Sequence, residues 1–561
     1  MKRIKNKIIT IFTLATILVS CNKGFLDRFP LDSPSSSTFF SNETELVLAI
    51  NSAYRSFYWI SSHNVPYIMW LDGSTDITWT RGNYVNMLDL QGGQVTTETN
   101  LFYDTWEFYY NSIMRCNNIL ENMHRAQEVV SEDFYNRIEA EARFLRAWNY
   151  GFLVSFYGDV PLVTTMLQLE DAQIPRTSQE QVLDLIFDDL DFAATHLPLS
   201  WDSKDEGRVT KGAAYAYKSR IALYHEKFEV AAQAAQNVME LNQYAVYPNY
   251  GQLFKHVGSR SSEVILDIPF LLNVQVHQIP RYLGTRSAPG YSVLVPTQTM
   301  VDFYQCTDGK RINQSDLFDP ANPYTNRDPR LAQSILRPGE WYNNFLFQTH
   351  PDATTTQQNV NGNIVTVNNL EVTNQFATFT GYIWKKYFDE ADLPGEVARS
   401  QQNFILIRYA EVLLTYAEAK IELNEIDASV IDAINAVRRR PSVLMPAAQI
   451  TMTQGELRDL IRYERTVELA QEGFRLFDLR RWRIAEHMMP GNVLGRRIKA
   501  HWDDRIVPSF NAHGKSIYPN ETTVFQIIST NTFNPLRDYL WPIPQRERDV
   551  NRQLSQNPHW D

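Results

Sequence analysis

Cysteine is nearly absent, with three in 561 residues. Cys116 and Cys306 stand too few and too far apart for a disulfide framework or a cysteine-built metal site, so both are expected to be buried, unreactive thiols. Long apolar runs are missing too. Past the first twenty residues nothing approaches the roughly eighteen consecutive apolar residues of a membrane-spanning helix, which leaves a water-soluble body. Positive charge is in deficit: 64 acidic side chains outnumber 53 basic ones and the formal net charge is −11. Nucleic acid and anionic lipid surfaces are therefore poor partners. Common catalytic patterns are missing as well. There is no G-x-S-x-G elbow and no H-E-x-x-H pair to put two imidazoles on one helix face. The stretch His513-Gly514-Lys515-Ser516 ends like a phosphate-binding loop, but Ser509 occupies the position of the opening glycine. No cofactor is implied.

What is present begins at the N-terminus, where Lys2, Arg3, Lys5 and Lys7 precede an uncharged, mostly apolar run over residues 8–19. This reads as a secretory leader of residues 1–20, and Leu18-Val19-Ser20-Cys21 has the form of a bacterial lipobox. Cys21 would be the first mature residue and carry acyl chains, each buried methylene contributing about 0.8 kcal/mol to membrane anchoring. A cleaved leader with an incidental cysteine is the plainer alternative. Losing the leader removes four positive charges and makes the mature body still more acidic.

The body reads as mostly helical. After a polar tether over residues 33–37, a first amphipathic helix is expected over 44–57. Ile138, Ala142, Leu145, Trp148, Phe152 and Phe156 advance by three or four, one stripe along a helix that stops at Gly158 with Pro161 beyond. Residues 211–241 hold two helical stretches with a turn around Glu226 and Lys227. Ala213, Ala214, Ala216 and Ala222 in the first can face Ala231, Ala232, Ala234 and Ala235 in the second. Residues 407–440 repeat the design, with stripes Ile407, Ala410, Leu414, Ala417, Ile421 and Val430, Ile434, Val437. Paired helices with small facing side chains read as tetratricopeptide-like hairpins that stack on one another. Residues 251–403 differ: a long, loop-rich insertion with minor strand, for example over 264–270 and 363–367. Residues 67–94 share that loop-like composition. The expected division is 21–250, an N-terminal helical region, and 251–561, made of the insertion and a helical segment from 404.

Carboxylates such as Glu139, Glu141, Asp189, Glu464 and Glu468 sit on helices beside Arg143, Arg146, Arg462 and Arg465. Ion pairs within or between helices account for them. A glycosidase needs only two carboxylates across a cleft, so a lipid-anchored glycan-degrading enzyme stays open. So does a protein-binding helical scaffold.

Five segments carry a resemblance to the SusD/RagB family of lipoproteins. They are Phe25-Leu26-Asp27 with Pro30; residues 141–147 running on to Phe156-Tyr157-Gly158-Asp159-Val160-Pro161-Leu162; Ile407-Arg408-Tyr409-Ala410-Glu411-Val412-Leu413-Leu414 with Ala417-Glu418-Ala419; Tyr463-Glu464-Arg465 through Asp478-Leu479-Arg480-Arg481-Trp482; and Leu540-Trp541-Pro542-Ile543-Pro544 with Gln556-Asn557-Pro558. In order they span nearly the whole mature chain. The resemblance implies a surface-exposed outer-membrane lipoprotein that binds an oligosaccharide or other nutrient, catalyses nothing, and sits as a lid on a SusC-like TonB-dependent transporter. Asn22-Lys23-Gly24 lacks the acidic cluster linked to surface export in such bacteria.

The family's ligand contacts lie in variable loops, so candidate ligand residues rest on chemistry alone. Sugars stack C–H faces on aromatic rings and bond their hydroxyls to Asp, Asn and Arg. Asp76, Trp79, Arg81, Asn83 and Tyr84 have that mixture without helical periodicity, and Tyr291, Trp341 and Tyr342 repeat it in the insertion. Trp106, Trp148 and Trp482 lie on apolar stripes and are core candidates. Arg480 and Arg481 read as members of an ion-pair network, and Asp72 to Asp76 as a solvated turn in preference to a Ca²⁺ loop.

Overall fold

The computed structural model describes residues 39–168, 171–392, 395 and 399–560. The leader, Cys21, the polar tether and the Phe25-Leu26-Asp27 segment lie outside the described residues. Ten of the longer helices form the scaffold: α1 (Glu43–Ala53), α2 (Asn100–Asn122), α3 (Glu132–Tyr157), α4 (Gln179–His196), α5 (Lys211–Tyr224), α6 (Phe228–Glu240), α7 (Tyr409–Glu422), α8 (Ala428–Arg438), α9 (Gln454–Glu468) and α10 (Arg475–Arg481). Their starts are written in side chains that satisfy otherwise orphaned backbone N–H groups. Ser131, Ser178, Thr210 and Asp427 each accept from the first turn that follows. Thr453 and Glu456 form a reciprocal capping box on α9. α3 stops because Gly158 takes φ +71°, the left-handed region that a side chain disfavours.

Each scaffold helix from α2 to α7 packs on the next, and α8 and α9 both pack on α7. The alanines at 213, 214, 216 and 222 and at 231, 232, 234 and 235 are all buried, as the hairpin reading requires. Glycine allows one closer approach. A Cβ at Gly151 in α3 would fall 2.2 Å from the Tyr217 hydroxyl of α5, which donates to the Trp148 carbonyl at 2.8 Å. Among the described residues no helix is long and apolar enough to cross a membrane.

The long insertion leaves and returns at one point. Strand Val264–Ile268 pairs antiparallel with Phe404–Arg408, so α6 and α7 become neighbours although about 170 residues separate them. Ile407 therefore belongs to this strand, and the helix expected to include it starts at Tyr409. Within the insertion, short strands over residues 341–368 make a four-stranded sheet.

Charge ties the insertion to the scaffold. Arg408 pairs with Glu263, Glu468 and Glu472; Arg440 with Glu263 and Glu468; Arg330 with Asp328, Glu464 and Glu468. All of these side chains are buried, and three guanidinium groups hold the Glu468 carboxyl far below its usual range against the cost of burial. Arg143 does meet Glu139 one turn away. Arg462 and Arg465, however, are not the partners of Glu464 and Glu468: Arg462 lies over Trp482, and Arg465 pairs with Glu418 and Asp478. The C-terminal residues close the first layer, with Trp541 stacked flat on Phe156 at 4.0 Å and the Asn557 amide donating to the Tyr157 and Trp541 carbonyls.

Candidate functional site

Strand Thr78–Thr80 pairs antiparallel with Leu294–Pro296, Trp79 opposite Val295. This register carries the chain past Thr80 alongside the loop that precedes Val293. The Arg81 amide donates to the Val293 carbonyl at 2.7 Å, and its guanidinium donates to the Tyr291 carbonyl at 3.0 Å. The two loop regions singled out by composition thus meet here.

Around that contact lies a half-open patch of rings and cations. Tyr84, Tyr282 and His63 contact one another edge-on at 5.0 to 5.8 Å, and Tyr282 meets Tyr291 at 5.8 Å. Arg281 and Arg286 lie over the Tyr291 ring at 5.3 and 5.6 Å from its centroid. Arg81 lies over Phe376 at 4.9 Å, and that ring is 45% exposed. Asn83 is exposed at the edge, where its amide donates to Asp89. Partial burial depresses the Arg81 pKa, and the neighbouring positive charge of Arg286 adds to the effect. Burial likewise lowers His63 and raises Tyr282.

Of the eight candidate ligand residues, Arg81, Asn83, Tyr84 and Tyr291 come together in this patch. The other four stand elsewhere. Asp76 is buried in a two-point ion pair with Arg475, at 2.7 and 2.8 Å. Trp79 is 4% exposed, its indole N–H donating to Ser529, so it offers no open face for stacking. Tyr342 is buried in the same apolar cluster as Trp79. Trp341 is 47% exposed but stands on the edge strand of the four-stranded sheet and takes part in none of the patch's ring contacts. These positions correct the expectation of a platform at Trp79. A strand of three residues carries too little alternation to show which side faces inward. Asp72 is likewise no solvated turn residue: it is buried and accepts from the Gly473 and Arg475 amides.

Sequence reasoning passed over His63, Arg286 and Phe376. Phe376 carried a readable signal, an aromatic ring among Asn, Thr and Gln. Arg286 lies five residues before Tyr291 in the same loop. His63 had none. Arg481 does join an ion-pair network, with Glu418 and Asp478, whereas Arg480 is buried with one hydrogen bond to the Asp538 carbonyl. Among the described residues no group of three or more His, Cys, Asp or Glu is placed to hold a metal ion.

A stacked-helix scaffold that presents a loop-borne patch of rings and guanidinium groups defines a recognition architecture. The chain belongs to the SusD family, whose model matches residues 236–560; a second model, described as starch-binding and associating with the outer membrane, matches residues 25–223. A SusD-like carbohydrate-binding protein of Bacteroides fragilis is 28% identical, with a TM-score of 0.79 over 92% of this chain and 100% of that one. A second SusD-like protein of the same species is 26% identical, with a TM-score of 0.76 over 94% and 99%. SusD-like protein P25 of Formosa agariphila is 26% identical over 86% of this chain and 90% of its own.

Proposed function

We propose that this chain captures a glycan at the outer membrane through the patch around Tyr291 and hands it to a SusC-like TonB-dependent transporter, without transforming it. The observation that carries the reading is the convergence of Arg81 and Tyr84 from one segment and Tyr291 from another onto one half-buried surface of a SusD-family scaffold. Aromatic rings with hydrogen-bonding cations beside them match the two faces of a sugar, apolar C–H and polar hydroxyl. Family membership and the outer-membrane description of the N-terminal match support the location. Acylation of Cys21 would supply the anchor and leave the surface free to face the exterior.

Calorimetric titration against a polysaccharide panel tests the binding reading, with released reducing ends assayed in parallel. Dissociation constants on the order of micromolar to millimolar are expected. Removing one ring, as in Tyr291→Ala, should weaken binding roughly five- to thirtyfold, the equivalent of about 1 to 2 kcal/mol. A Tyr291→Ala protein that melts normally and binds like the parent would place the site elsewhere. Sugar release would favour the enzyme alternative. Cys21→Ala should abolish palmitate labelling and free the protein from membranes, and unchanged labelling would refute the anchor.

A further inference from the structure

We infer that the glycan taken at the Tyr291 patch is anionic, bearing a carboxylate or sulfate on the sugar beside that ring. The inference rests on the binding reading above and narrows it to a substrate class.

Its basis is an imbalance of charge. Most buried arginines elsewhere are matched with carboxylates, such as Arg146 with Asp189, Arg220 with Glu411, Arg408 with Glu263, Glu468 and Glu472, and Arg475 with Asp76. Arg327 and Arg480, which bond backbone carbonyls instead, stand singly and not in a cluster. The chain has carboxylates to spare, with 64 acidic side chains. Yet Arg81, Arg281 and Arg286 meet around Tyr291, and none of the three has a carboxylate within 4.0 Å among the described residues. Their hydrogen bonds go instead to neutral acceptors: the Tyr291 carbonyl at 3.0 Å, the Gln278 side chain at 3.3 Å and the Gly290 carbonyl at 3.2 Å. The Nε atoms of Arg81 and Arg281 are buried and have no acceptor.

Two of these cations lie over the Tyr291 ring and the third bonds that residue's carbonyl; the Arg81 pKa is lowered by burial first and by the positive charge of Arg286 besides. A nearby acid was available to balance that charge. Glu371 is buried nearby and feels the Arg286 charge, but burial raises its pKa, its carboxylate accepts from the Ser287 amide at 2.8 Å, and it stands beyond 4.0 Å of the guanidinium. An arrangement that costs stability in the free protein is relieved when a ligand brings the missing negative charge. Guanidinium groups suit carboxylate and sulfate because their planar donors match paired oxygens. Arg281 and Arg286, which lie over the Tyr291 ring, would then reach the substituent, while the exposed Phe376 ring beside Arg81 takes the sugar's C–H face. A neutral glycan would use the ring and leave the charge unrelieved.

The test uses the full chain in detergent, titrated calorimetrically with four oligosaccharides of matched length: an oligogalacturonate, a sulfated galactan fragment, a maltooligosaccharide and a β-1,3-glucan fragment. We expect at least one of the two anionic probes to bind about tenfold or more tightly than either neutral one. Raised salt should erode that preference. Arg281→Gln and Arg286→Gln should each reduce anionic binding at least fivefold and leave melting temperatures near the parent. Which anionic probe responds separates a uronate from a sulfated sugar. Neutral probes binding as tightly as anionic ones, with Tyr291→Ala abolishing the signal, would overturn the anionic class and leave the glycan site standing. Binding of none of the four would overturn both.

Discussion

His277 shows how a single buried side chain can make this fold sensitive to acid. It is fully buried, its Nε2 pairs with the Gln402 carbonyl at 2.9 Å, and its Nδ1 accepts from the Ile279 amide at 3.2 Å. Those partners require a neutral ring protonated at Nε2; a second proton on Nδ1 would face another N–H. Burial accordingly pushes the pKa down to about 4. A histidine whose folded pKa lies below its unfolded value near 6.5 adds stability that is complete above the unfolded value. That stability is lost as pH falls from there toward 4. The loss at low pH amounts to about 3 kcal/mol. Urea titrations at pH 7 and pH 4.5 should show it, and His277→Gln should shrink the difference, leaving the part that buried His225, also pushed down to about 4, contributes. A variant as acid-sensitive as the parent would refute the assignment. Glu468 is the contrasting case, a carboxylate needed in its charged form by Arg330, Arg408 and Arg440. Glu468→Gln leaves buried cations undercompensated and should cost about 3 to 5 kcal/mol, read as a lowered denaturation midpoint.

Among elements, the helices were the most legible part. The stripe from Ile138 to Phe156, the alanine-faced pair over 211–241 and the stop at Gly158 all appear where three- and four-residue spacing and local chemistry place them. Periodicity is a property of neighbours in sequence, so it survives without tertiary knowledge. Partner choice is not: Glu464 and Glu468 take Arg330, Arg408, Arg438 and Arg440 from distant segments, which no i,i+4 rule reveals. The candidate site divides in the same way. Composition located the two loops, but only the pairing of Trp79 with Val295 shows that Arg81 faces Tyr291 while Trp79 is turned into the core. Close helix contact offers an element-scale test. Gly151→Ala, favourable in an isolated helix, should here drive a methyl into the Tyr217 hydroxyl and destabilise the protein by about 1 to 3 kcal/mol. A melting temperature at or above the parent's would show that α3 and α5 separate without cost.

At the scale of the molecule, two long-range closures hold the architecture together. The strand pair of Val264–Ile268 with Phe404–Arg408 gathers the insertion onto the scaffold, and the residues after 540 bind the first helical layer. Deleting 541–561 would uncover Phe156, Phe102 and the Tyr157 carbonyl. Such a chain should lose cooperative unfolding altogether, and a sharp calorimetric transition in the truncated protein would count against this closure.

The return of Trp541 to Phe156 also bears on timing. The layer that α2 and α3 begin is sealed by residues synthesised as many as 400 positions later. Until then the nascent chain has no finished lid over its first aromatic cluster.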